Sequence, residues 1–117
     1  MEVLVSGGRL RAGDLACSNA QAVEFFGSLR ADAVFLGSGG IAPYGLTDFH
    51  LDEVATKRAM LANASHRYVL ADSSKFGRTA AHRVCELTGF DTLISDKPCP
   101  DELRTALGRA GTTVVVA

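Results

Sequence analysis

Three stretches of this sequence carry residue types suited to holding a small anion. The first is Gly37-Ser38-Gly39-Gly40-Ile41-Ala42-Pro43-Tyr44-Gly45-Leu46-Thr47. Glycines let a backbone approach a ligand closely and aim its N–H groups inward. The second is Asp72-Ser73-Ser74-Lys75. Its lysine suits a phosphate or a sugar hydroxyl, and its two serines add hydrogen-bonding hydroxyls. The third is Glu53, Lys57 and Met60, whose spacings of four and three put them on one face of a helix. Each has a plainer reading. The glycines are tight turns, and Asp72–Lys75 is an Asx or Ser turn with an exposed lysine. Glu53 and Lys57 are a solvated pair worth roughly 0.3–0.5 kcal/mol. The glycine run departs from the G-x-G-x-x-G dinucleotide fingerprint, because Ala42 takes the last position and no helix opens there.

The surrounding pattern says what must position these residues. Val3-Leu4-Val5 reads as a buried strand running into Ser6-Gly7-Gly8. Ser18-Asn19-Ala20-Gln21 fits a capping box with Ser18 as N-cap. The helix it opens would bury Ala22, Val23, Phe26 and Leu29 and stop near Arg30. Ala33–Leu36 is a strand that enters the glycine run directly, and a loop then reaches Thr47. A second helix spans about Asp52 to Ala64, with Leu51, Val54, Ala55, Leu61 and Ala62 as its core face. Arg58 falls within that face, its stem packed and its head in water. Further strands are expected at Tyr68–Ala71, Thr92–Ile94 and Thr112–Val116. Asp101–Ala110 is the cleanest helix: Leu103, Ala106, Leu107 and Ala110 repeat at helical spacing, Pro100 opens it and Gly111 closes it.

Strands alternate with helices, and most strands are continuous apolar runs. That predicts an α/β fold with an open, mostly parallel sheet flanked by helices on both faces. Ligands of such sheets bind beyond the carboxyl ends of the strands. Gly7-Gly8-Arg9, the run from Gly37 to Thr47, and Asp72–Lys75 all fall at that edge. The first strand begins almost at Met1, so the expectation is the later part of a larger domain.

Composition removes several classes of function. The 117 residues make one domain. A net charge of −1 disfavours DNA contact by this segment alone. No apolar run spans a bilayer, and the start lacks a signal peptide, so a cytoplasmic location is expected. Cys17, Cys85 and Cys99 form no CxxC pair, which points to reduced thiols. His50, His66 and His82 share no metal-ligand spacing and read as surface or satisfied histidines. No cofactor or metal is expected, and no nucleophile elbow, Walker loop or HExxH occurs.

Together these stretches are more specific than any one alone. Phe35-Leu36-Gly37-Ser38-Gly39-Gly40-Ile41, Gly45-Leu46-Thr47-Asp48, Glu53 with Lys57 and Met60, and Ala71-Asp72-Ser73-Ser74-Lys75-Phe76-Gly77 resemble the C-terminal effector-binding domain of DeoR-type bacterial repressors. Gly7-Gly8-Arg9 and Asp91-Thr92-Leu93-Ile94-Ser95-Asp96 fit the same pattern. The resemblance implies a fold similar to ribose-phosphate isomerase and glucosamine-phosphate deaminase, N-terminally incomplete here. It implies a phosphorylated sugar or related metabolite as effector, homo-oligomers, and DNA contact only through a helix-turn-helix domain that these residues lack. The family's Asp-x-Gly-Thr-Thr phosphate loop and Thr-Asn-Ser turn are also not found in the sequence. The ligand-binding candidates are Gly37, Gly39, Gly40, Gly45, Thr47, Glu53, Lys57, Asp72 and Lys75. The isomerase relatives carry carboxylates where this sequence has Gly37–Gly40, so binding without turnover is expected. An isomerase-like enzyme is the alternative, and an oligomerisation scaffold is a further one.

Overall fold

A four-stranded parallel sheet organises the computed structural model, which describes residues 1–13 and 16–117. Its strands are β3 (Ala31–Leu36), β6 (Ala64–Leu70), β8 (Thr92–Ser95) and β9 (Thr113–Val116), adjacent in that order. Before them come a two-stranded ribbon, β1 (Arg9–Leu10) with β2 (Cys17–Ser18), and helix α1 (Ala20–Ser28). Between β3 and β6 lie β4 (Gly40–Ala42), β5 (Gly45–Asp48) and helix α2 (Leu51–Ala62). A third antiparallel strand, β7 (His82–Cys85), follows β6 and pairs with β5. Helix α3 (Asp101–Ala110) connects β8 to β9.

Register sorts the parallel sheet into two unlike faces. Leu36 lies opposite Val69, and Val69 opposite Leu93. These three, with Val34, are buried in one core with Val54 and Leu61 of α2 and Leu103 and Leu107 of α3. The alternate residues Phe35, Tyr68, Leu70, Ile94 and Val115 point the other way. Phe35 and Tyr68 stack at 4.6 Å, yet Phe35 is 57 % exposed and Leu70 and Val115 are each 44 % exposed. This face is therefore not covered as the core face is. At its edge, β3 pairs only with β6, leaving one side of its backbone without a strand partner among the described residues.

Several local expectations need correction. Val3, Leu4 and Val5 form no strand and are exposed. An apolar run becomes a strand only when a neighbouring strand takes up its hydrogen bonds. The cap of α1 is Asn19 rather than Ser18; its side chain accepts from the Gln21 N–H at 3.0 Å. That helix ends at Ser28, with Ala22 buried, Val23 and Phe26 half-buried and Leu29 exposed. The buried residues of α2 are Val54, Thr56 and Leu61, while Leu51, Ala55 and Ala62 are exposed. Arg58 sends its guanidinium sideways, donating to the Val84 carbonyl at 3.1 Å and so stitching α2 to β7.

The largest departure is the run from Gly40 to Asp48. It is a buried β-hairpin, with Gly40 opposite Thr47 and Ala42 opposite Gly45. Pro43 and Tyr44 make its two-residue turn, and Gly45 leaves it at φ +137°. A side chain at Gly45 would be strained there, and its Cβ would stand 2.3 Å from the Cys85 carbonyl oxygen. By contrast α3 forms as its pattern predicts, closed by Gly111 in the left-handed region. All three cysteines are free, and burial pushes the Cys85 thiol up to about 11.

Candidate functional site

A polar cleft of about 400 Å³ opens at the carboxyl ends of β3 and β6. Its walls come from three places. Gly37, Ser38 and Gly39 follow β3; Asp48, Phe49, His50, Glu53 and Lys57 run from the end of β5 into α2; Arg11 and Lys75 reach in from elsewhere. Of the candidates named from sequence, the structure brings together Gly37, Gly39, Glu53, Lys57 and Lys75.

The other four candidates sit outside its lining. Gly40 is buried in β4 and Gly45 is buried at the start of β5, just after the hairpin turn. Thr47 is fully buried; its hydroxyl donates to the Gly40 carbonyl at 3.3 Å and accepts from the Ala80 N–H at 2.8 Å. Asp72 is exposed and caps the 3₁₀ turn Ser73–Lys75 through the Ser74 N–H. The Ser74 hydroxyl and N–H hold the Asp72 carboxyl below its ordinary value. Gly40, Gly45, Thr47 and Asp72 thus shape the loops that present the lining residues.

Lys57 is no solvated helix lysine. Its ammonium donates to the Gly37 carbonyl at 3.0 Å and forms a short ion pair with Asp48. Glu53 stands 4.0 Å away on the preceding turn. The Lys57 and Asp48 side chains are only 12 % and 8 % exposed. Lys57 therefore ties the end of β3 to the end of β5. Glu53 receives Arg11 Nη2 at 3.1 Å, which fastens the β1–β2 ribbon to α2.

Lys75 is set by a different frame. The Asp72 cap starts its 3₁₀ turn, and Asp96, just past β8, accepts the Ser73 N–H at 2.7 Å. Beyond the turn, the Gly77 N–H donates to the Ile41 carbonyl at 2.8 Å and joins this loop to β4. Within 4 Å, Lys75 makes no ion pair with any described residue; it lines the same cleft as the glycine loop. Farther along the sheet, Arg67 grips Asp91 through two side-chain bonds of 3.2 Å and holds that carboxyl below its ordinary value. This pair fixes the end of β8 remote from the cleft and takes no part in it.

The lining also includes Arg11, Asp48, Phe49 and His50, none of which was singled out as a site residue from sequence. Asp48 and Glu53 supply two carboxylates where the glycine run alone supplies none. Both are engaged by cations, so neither stands as an unencumbered base. Among the described lining residues, three cations stand with two carboxylates, a set that can offer charge-assisted hydrogen bonds to an anion.

A parallel sheet with a polar cleft at the carboxyl ends of its strands defines a ligand-binding α/β domain. The chain belongs to the family of DeoR C-terminal sensor domains, whose model matches residues 1–97. It is similar to the glycerol-3-phosphate regulon repressor of Escherichia coli strain K12, at 34 % identity over 84 % of this chain and 39 % of that protein. It is also similar to the HTH-type transcriptional repressor GlcR of Bacillus subtilis, at 29 % identity over 99 % of this chain and 45 % of that protein. A putative aga operon transcriptional repressor of Escherichia coli O157:H7 is 30 % identical over 99 % of this chain and 44 % of its own length. The chain thus spans less than half the length of these relatives. Their names are those of transcriptional repressors, in line with the expectation of a sensor domain. Among the described residues no helix is long and apolar enough to cross a membrane.

Proposed function

We propose that this chain is the effector-binding part of a DeoR-type repressor and that its polar cleft takes a small phosphorylated sugar or polyol. The observation that carries this reading is Lys75, which has no ion-pair partner among the described residues and lines one cleft with Gly37–Gly39, Arg11 and Lys57. A phosphate oxygen gains a charge-assisted hydrogen bond from such a lysine, and glycine backbone leaves room for the ligand to approach. The name of the glycerol-3-phosphate regulon repressor adds support for an organic phosphate. Occupancy would alter the affinity for DNA of a helix-turn-helix region beyond these residues. Such a regulator works beside the chromosome, in the cytoplasm.

Isothermal calorimetry with glycerol 3-phosphate and with ribose, fructose and tagatose phosphates tests this. At least one should release heat, and Lys75→Ala should weaken its binding by roughly tenfold or more. No heat with any of them, or binding unchanged in Lys75→Ala, counts against the assignment.

The open edge of β3 and the exposed face around Phe35 support a second element of the same reading, that copies of the chain associate. Unpaired strand edges and contiguous apolar faces invite a partner. Sedimentation should show dimers or larger species that dissociate in Phe35→Lys. A monomer at every concentration up to the solubility limit would remove this element.

A further inference from the structure

We propose that the Ser38 hydroxyl is a ligand-binding group of the cleft, bonding an oxygen of the bound molecule; this deepens the effector-site reading and rests on it. Ser38 sits between Gly37 and Gly39, and all three line the cleft. Its Oγ is shut off from solvent and has no hydrogen-bond partner among the described residues. Polar side chains of the cleft lining and of β5 are engaged elsewhere. Asp48 accepts from Lys57 and from the Phe49 N–H, Glu53 accepts from Arg11, and Thr47 bonds Gly40 and Ala80.

A hydroxyl sealed from water and left unpartnered lowers the stability of the fold. In this rotamer the atom is too enclosed for a water molecule to meet it. Relief is one rotation away. Ser38 is only half-buried as a residue, and turning its Cα–Cβ bond carries Oγ between staggered positions. A hydroxyl both donates and accepts. It therefore suits a sugar or polyol hydroxyl as well as a phosphate oxygen, and it offers nothing to an apolar molecule.

Ser38→Ala, studied with glycerol 3-phosphate and with inorganic phosphate as probes, tests the proposal. The variant alone should melt about 3 °C higher than the wild type, since an unpartnered hydroxyl has been removed. Its affinity for glycerol 3-phosphate should nevertheless fall about tenfold. An equal loss for inorganic phosphate places the bond on the phosphate, and a loss confined to glycerol 3-phosphate places it on the polyol. A lower melting temperature overturns the proposal, because it shows a partner within the fold. Unchanged affinity in the variant overturns it as well while leaving the effector site standing. A wild type that binds neither these probes nor ribose, fructose or tagatose phosphates overturns this assignment together with the organic-phosphate reading beneath it.

Discussion

Lys57→Met should lower the stability of the domain by about 3 kcal/mol, a loss on the order of 10 °C in melting temperature. The size follows from what is left behind. Asp48 is 6 % exposed overall, and Lys57 is its ion-pair partner. Methionine fills much of the lysine's volume but leaves that carboxylate buried and unpaired, a far larger penalty than losing a surface pair. It also leaves the Gly37 carbonyl without the bond that Lys57 donates. Urea denaturation measures the loss, and a second substitution sharpens it. Asp48→Asn in the Lys57→Met background removes the stranded charge and should recover much of the stability. A single variant that loses less than about 0.5 kcal/mol would instead mean an ordinary solvated pair.

That clamp shows where reading the sequence stops. The spacing of Glu53 and Lys57 places them on one helical face, and the structure keeps them 4.0 Å apart. What spacing cannot disclose is that a hairpin swings Asp48 against the same lysine. The pairing depends on the β4–β5 turn and on a register shift between Leu46 and Thr47 where β5 meets β7. Arg11 is less accessible still, since it reaches Glu53 from forty-two residues earlier in the chain. Local patterns fared better where local physics dominates. In α3 the apolar stripe, the proline at its start and the glycine at its end all agree, and it forms as read. Lys75 follows a strand of the parallel sheet and so falls at the carboxyl edge where the cleft opens, as the alternation of elements implies. Val3–Val5 shows the opposite case: its apolar pattern is strand-like, but pairing is a tertiary property.

The glycine run is the other place where chemistry and architecture were entangled, and Gly40→Ala should separate them. A Cβ on Gly40 would lie 2.2 Å from the carbonyl oxygen of Arg78 and 2.8 Å from its carbon. Both atoms are backbone, so no flexible side chain can move aside. The Arg78 segment is held in turn, because the Gly77 N–H bonds Ile41 and the Ala80 N–H bonds Thr47. Accommodating one methyl group therefore means displacing β4 from the loop packed over it. We expect a loss of about 3 kcal/mol or more, at the upper end of overpacking effects. Gly37→Ala is the internal control. It lies two residues from Gly39 in the same run, its φ is not in the left-handed region, and its Cβ would meet nothing within 4 Å. Its stability should stay within about 0.5 kcal/mol of the parent, whatever it does to ligand binding. Circular dichroism melts of the two variants decide the matter. If Gly37→Ala were the damaging one, the glycines would be needed mainly for the ligand-facing turn. If Gly40→Ala is, that glycine is there because two backbones touch, and only the first part of the run belongs to the binding loop.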